Sequence, residues 1–395
     1  MTQHPSLRYS GRIAAFDIAR GLAVLGMIAA HVGPEREGIM GWLMAVPDGR
    51  SSILFAMLAG VSLAIITGRN VPYTGVEFLQ AKIRIFTRAA LLLVISGVLA
   101  LMNDIVALIL AYYAVWFILA IPFLRWRPSR LFIAAGLSWV IGPLIAIYLP
   151  VFFQKAGMDT MGDASDFILD TMLTGTYVGV IYMGFVLAGL GIGRLDITRR
   201  SVPMTLTPIG LSLAIVGYGT AFLLSDSTEE SWKYIDDGGY TGAWTDGWQT
   251  DGMGPDWYPD VTFPPVTDYL HAEPHSGTIL EAIGSGGTAI AIIGILLLGG
   301  PFLGKLLYPI GAVGAMSLTA YSTHIVAVWA IPALVFPESM APLLWHLLAT
   351  MIVCSLWKFF IGRGPLEWLL YRVSQKSARI IPEPSGNPQL SPPRL

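Results

Sequence analysis

The sequence predicts an all-α, polytopic integral membrane protein with roughly ten transmembrane helices, both termini in the cytoplasm and one large loop facing outward. Three observations predict it. Of 395 residues, 54% are hydrophobic and only 13% charged, with a mean hydropathy of +0.63, a balance that a soluble globule of this size does not carry. The apolar runs are continuous rather than alternating and long enough to cross a hydrocarbon core of about 30 Å, so the spans are helices rather than barrel strands. The basic residues, finally, gather at one set of span ends.

In chain order, the first run covers 13–32. It begins late, carries Asp17 and Arg20 and lacks a small-residue cleavage site, so it reads as a retained first span and not as a signal peptide. Further spans are expected at 51–67, 85–102, 105–124, 131–152, 177–193, 203–224, 279–299, 310–336 and 342–360. Pro122, Pro143, Pro208 and Pro332 mark kinks or ends, because each removes a backbone donor. Arg8, Arg12, Arg69, Lys82, Arg84, Arg88, Arg125, Arg127, Arg130, Arg194, Arg199, Arg200, Lys305, Lys358, Arg363, Arg372, Lys376 and Arg379 fall at one set of ends; Arg36, Arg50, Lys155 and Lys233 fall at the other. The positive-inside rule therefore puts both termini in the cytoplasm.

The segment 225–276 reads as an extracytoplasmic loop in which Trp232, Trp244, Trp248, Trp257, Tyr234, Tyr240, Tyr258 and Tyr269 stand among acids. Such rings suit sugar faces, with carboxylates for the hydroxyls, or they rest at headgroup level. Residues 1–381 read as a single transmembrane domain, followed by a Pro- and Ser-rich, disordered tail at 382–395. A net charge of −2 points to no nucleic acid. The one cysteine, Cys354, excludes an intramolecular disulfide and reads as a small buried or lipid-facing residue. The histidines are scattered along the chain without a Cys or carboxylate at ligand spacing, so no metal site is expected.

Ionisable residues inside spans are costly and commonly functional, which singles out Asp17, Arg20, His31 and His324. Eleven positions separate Arg20 from His31. On a helix that is close to three turns, so the two side chains share a face about 16 Å apart, one near the inner surface and one toward the outside. Asp17, three residues before Arg20, can pair with it. Ser317, Tyr321 and His324 share another face, which lines an acceptor pocket or makes polar contacts between helices. At the outer ends stand Asp48, Arg50, Ser51 and Ser52, which bind an acceptor or cap a helix, and His275 and Glu281 with the same two readings. Arg363 and Glu367 belong to an interfacial segment on the cytoplasmic side.

An arginine, ten intervening residues and a histidine opening the first span resemble the signature of the transmembrane acyltransferase superfamily, specifically its YeiB-like, heparan-α-glucosaminide N-acetyltransferase-like branch. The fragments that carry the resemblance run along the chain: R-x-x-x-x-D-x-x-R-G-x-A-x-L-G from Arg12, L-F-A-M-L-A-G from Leu54 and G-F-V-L-A-G-L-G-I-G-R ending at Arg194. P-H-S-G-T from Pro274, G-A-M-S-L-T-A-Y-S-T-H ending at His324 and R-G-P-L-E-W-L-L-Y-R ending at Arg372 complete the set. The resemblance implies a multi-pass protein of the bacterial plasma membrane, surrounded by lipid and compatible with a homo-oligomer. It implies acyl-CoA, most simply acetyl-CoA, as co-substrate, with Arg12, Asp17 and Arg20 near the donor. A saccharide or glycolipid would be the extracytoplasmic acceptor, with Asp48, Arg50, His275, Glu281, Ser317, Tyr321 and His324 as candidates for its pocket.

His31 would take the acceptor's proton as a general base, or carry the acyl group itself. The lysosomal relative has asparagine where this chain has His31 and a later histidine where this chain has Trp42, so the catalytic histidine is carried over from the bacterial O-acyltransferase pattern. Two other function classes compete. A carrier or flippase for envelope saccharides or lipids would use the buried Asp, Arg and His as a relay, and an envelope scaffold would need only the outer loop.

Overall fold

The computed structural model describes residues 13–34, 44–102, 106–155, 170–224, 270–335, 337 and 339–379. Arg12, Trp42, most of the aromatic loop and the tail lie outside the described residues. Twelve α-helices and no strand occur among those described. They are α1 (Ala14–Val32), α2 (Arg50–Ile66), α3 (Gly75–Ala100), α4 (Ile109–Leu119), α5 (Pro128–Lys155), α6 (Gly179–Arg194), α7 (Ser201–Leu224), α8 (Ile279–Leu306), α9 (Tyr308–Ala315), α10 (Ser317–Ala330), α11 (Met340–Phe360) and α12 (Pro365–Ala378). Six are long and apolar enough to cross a membrane, α9 and α10 pass that test together, and α2, α4 and α6 are shorter apolar helices. Each span expected from the sequence therefore has a helix or helix pair, and the chain is an all-helical polytopic membrane protein.

Small residues determine which helices touch. With lipid on the outside there is little hydrophobic force between helices, so close backbone approach supplies the packing. Ala56, Gly60 and Ala64 on α2, four residues apart, face Gly189 and Gly193 on α6. A Cβ on Gly60 would meet the Val186 carbonyl, one on Gly189 the Met57 carbonyl, and one on Gly193 the side chain of Ala64. A second seam joins α7 to α8 through Gly210, Gly217, Gly284 and Gly287, and a third seats α9 on α1 where Gly314 meets the Asp17 carbonyl and Gly21 that of Ile310. Gly189→Ala should cost about 1–3 kcal/mol through overpacking and lower the melting midpoint in detergent. Gly136→Ala on α5, where a Cβ would meet nothing within 4 Å, should leave that midpoint unchanged or raise it.

One helix breaks just where the expected span 279–299 ends, and one span is interrupted where the sequence reads as continuous. Gly300, at φ 49°, breaks α8 just before Pro301. The run 310–336, expected as one span, is α9 and α10 meeting at 85° around Met316. The break is tolerated because the backbone N–H groups of Leu318 and Thr319 donate to Glu367 Oε1 at 2.8 and 3.1 Å, and the Thr319 hydroxyl donates to Oε2 at 2.6 Å. A carboxylate from α12 thus caps a helix start that would otherwise leave polar groups unsatisfied in apolar surroundings. Of the four prolines, Pro143 and Pro208 stay within α5 and α7, whereas Pro122 and Pro332 lie in short 3₁₀ turns directly after α4 and α10.

Arg194, read from the sequence only as a positive-inside marker, is buried and ties three segments together. Its guanidinium donates to the carbonyls of Ala64 (3.3 Å), Arg69 and Leu124 (2.5 Å) and to the Thr67 hydroxyl (2.6 Å). It thereby satisfies carbonyls at the C-terminal end of α2 and in the turn after α4.

Candidate functional site

The polar residues of the membrane region form three levels, and α1 passes through two of them. At the inner level, Arg20 donates to Asp17 Oδ1 at 3.2 Å and to the Ser62 hydroxyl of α2 at 2.9 Å. The expected Asp17–Arg20 pair is present, with Asp17 buried. Arg88 of α3 lies among Arg84, Arg20 and Arg363, whose positive charges all act on it. Arg363 stacks its guanidinium on the Tyr371 ring at 3.8 Å. Arg84 and Arg88 form no ion pair among the described residues, and the buried Nε of each has no hydrogen-bond partner there. Like charges held together at the edge of an apolar bundle repel one another, and an anion among them relieves that repulsion.

Three turns along α1, His31 enters a chain of imidazoles. Its Nδ1 lies 3.0 Å from His324 Nε2 on α10, and His324 Nδ1 lies 3.1 Å from His346 Nε2 on α11. The His31 and His324 rings are nearly parallel, 13° apart with centroids at 5.3 Å. His324 is almost fully buried, at 1% exposure, while His31 and His346 are half-buried. A neutral imidazole has one N–H and one lone pair, so all three tautomers must point the same way to satisfy both bonds. When His31 donates through Nδ1, its Nε2 carries a free lone pair. The rings are strung end to end and do not converge on one point, which is the geometry of a hydrogen-bond chain rather than of a metal cage.

The outer level joins four helices. Arg50, the first residue of α2, donates through Nε to the Tyr218 hydroxyl of α7 at 2.7 Å and through Nη1 to the Ala45 carbonyl at 2.8 Å. Tyr218 in turn bonds the Ser285 hydroxyl of α8 at 2.7 Å. Ser52 donates to the Gly49 carbonyl at 2.7 Å and shares a 2.9 Å bond with the Tyr182 hydroxyl of α6. Asp48 and Ser51 are buried beside them.

The P-H-S-G-T fragment wraps around a carboxylate. Glu281 accepts from the backbone N–H of His275 and of Gly277, each at 2.7 Å, while its own N–H donates to the Thr278 hydroxyl at 3.1 Å. His275 and Gly277 both have positive φ, 62° and 64°, which turns their N–H groups inward. The cap of α8 is Thr278, and the Glu281 carboxylate instead holds the loop before the helix. A narrow cleft lined by Ile53, Tyr182, Phe185, His275 and Glu281 opens beside it.

The candidates of the first analysis are therefore distributed unevenly. Arg20 and Asp17 share the inner level, His31 and His324 touch directly, and Asp48, Arg50, His275 and Glu281 belong to the outer end. Tyr321, at 1% exposure, accepts from the backbone N–H of Ile109 at 3.4 Å and so caps α4. Ser317 opens α10 at the bend, about 10 Å of helix rise from His324. Sequence reasoning missed His346 altogether. It read Arg84 and Arg88 only as orientation markers and set Arg363 aside.

The apolar bundle thus holds, among the described residues, arginines without an ion pair at one level and a histidine chain at another, in a chain whose sequence match puts it among the membrane acetyltransferases. The chain belongs to the heparan-alpha-glucosaminide N-acetyltransferase catalytic family, whose profile matches residues 12–223. The match includes Arg20, His31, Asp48, Arg50, Arg84 and Arg88, and ends before Glu281, His324 and His346. A comparison with curated proteins finds no match.

Proposed function

We propose that the protein transfers an acetyl or other short acyl group from cytoplasmic acyl-CoA to a saccharide or glycolipid of the cell envelope at the outer face, with His31 as the general base. The observation that carries this reading is that Arg20 and His31 stand on one unbroken helix, about 16 Å apart, at two differently equipped levels. Phosphates need fixed positive charge, and Arg20, Arg84, Arg88 and Arg363 offer it at the inner level. An extended pantetheine arm then reaches along α1 toward His31. The nucleophile arrives from the outer level, near Arg50, Asp48 and Glu281.

In that arrangement His31 Nε2 takes the proton of the attacking hydroxyl or amine as the carbonyl carbon is attacked, and CoA leaves through its sulfur. General-base help of this kind contributes about 10²–10⁴ in rate. His324 positions His31, because the Nδ1 bond fixes the orientation of its ring. Asp17 does the same for Arg20.

The test is direct. Detergent-purified protein, radiolabelled acetyl-CoA and a panel of envelope saccharides should give labelled product and free CoA in equal amounts. Absence of any CoA-dependent product, together with no melting shift by CoA, would remove the donor and with it this reading.

A further inference from the structure

We propose that His324 and His346 extend His31 into a proton relay, which carries the proton taken from the acceptor across the bundle toward the Met340 end of α11. The destination of the proton rests on the transferase reading; the relay itself rests on the three rings.

A buried histidine with a purely structural task ordinarily gives its N–H to a carbonyl or a carboxylate, which holds one tautomer. His324 instead has an imidazole on each side, at 3.0 and 3.1 Å, so both partners can donate as well as accept. Both directions of the chain are therefore good hydrogen-bond patterns, and one proton entering at one end, a hop across each of the two bonds and one proton leaving at the other end convert one into the other. The three rings come from α1, α10 and α11, separated by 293 and 22 positions, so no local helix geometry makes them meet.

The proton count closes. At the start His31 donates through Nδ1 to His324 Nε2, and His324 donates through Nδ1 to His346 Nε2. The acceptor's proton binds His31 Nε2; the Nδ1 proton of His31 moves to His324 Nε2, that of His324 Nδ1 to His346 Nε2, and that of His346 Nδ1 leaves to water. Every ring ends neutral with its tautomer reversed, and the departing CoA thiolate takes its proton from the cytoplasm. His346 is suited to the terminal position. It is half-buried and only about 9 Å along α11 from Met340, where that span begins, while Leu344 and Trp345, 58% and 70% exposed, are apolar side chains that face lipid. His275 is the further titratable side chain whose charge acts on His31.

His346→Gln keeps a hydrogen-bonding side chain facing His324 but no imidazole, and His346→Ala opens a space for added imidazole. In acetyl transfer, kcat of His346→Gln should fall at least about tenfold with KM for acetyl-CoA unchanged, and imidazole should restore His346→Ala. Nitrogen-15 spectra of histidine-labelled protein should show the ring nitrogens of His31 and His324 moving together on titration in the wild type, and His31 should change its tautomer balance in His346→Gln. A wild-type rate in His346→Gln overturns the relay. So do His31 ring signals identical in wild type and His346→Gln, whatever the transfer assay gives. Coupled ring signals in a wild-type protein that transfers no acetyl group would support the relay and overturn the transferase instead.

Discussion

Replacing His31 with asparagine is expected to lower kcat/KM for acetyl transfer by on the order of 10²–10⁴ while leaving CoA binding intact. Asparagine is the informative substitution because its amide can still donate to His324, so the contact between α1 and α10 survives while the basic nitrogen is lost. The helix itself is held elsewhere, by the close seat of α9 at Gly21 and Gly314 and by the Arg20 bonds to Asp17 and Ser62. The melting midpoint should therefore move little, and the shift produced by added CoA should match that of the wild type. Initial rates and melting curves on the same preparations check both halves. A His31→Asn protein that transfers acetyl at the wild-type rate would deprive the reaction of its base.

The positions of Arg20 and His31 were legible because both lie on one helix, where 3.6-residue geometry fixes their mutual placement from spacing alone. His324 was legible as a buried polar residue, but its partners were not. His31 lies 293 positions away, and His346 stands among apolar neighbours near the start of a 21-residue helix. No local period connects such residues; only the packing of α1, α10 and α11 does. The apolar helices were readable from hydropathy, whereas the bend at Met316 was not, since the run stays apolar through it and the cap that permits it, Glu367, comes from a later helix. Arg84 and Arg88 show a different limit. A lysine or arginine that anchors a helix at the inner surface and one that binds a ligand leave the same mark in a sequence, and only the convergence of α1, α3 and the α11–α12 turn separates them.

That convergence leads to the second large effect. Arg84→Gln combined with Arg88→Gln should raise KM for acetyl-CoA by about 10²–10⁴-fold, since each charge-assisted hydrogen bond to a phosphate is worth about 1.5–3 kcal/mol. KM for S-acetylpantetheine, which lacks the phosphates, should stay where it is, and kcat with either donor should change little. The same substitutions should stabilise the protein without ligand. Removing two like charges that have no ion pair among the described residues relieves repulsion, so the melting midpoint should rise as the CoA-induced shift shrinks. An anchoring role makes the opposite prediction: arginines that merely hold α3 at the membrane surface would lower the midpoint when replaced and would affect both donors alike. Comparing the two thioesters in wild type and double variant, with melting curves in the presence and absence of CoA, decides between an anion site and a set of anchors.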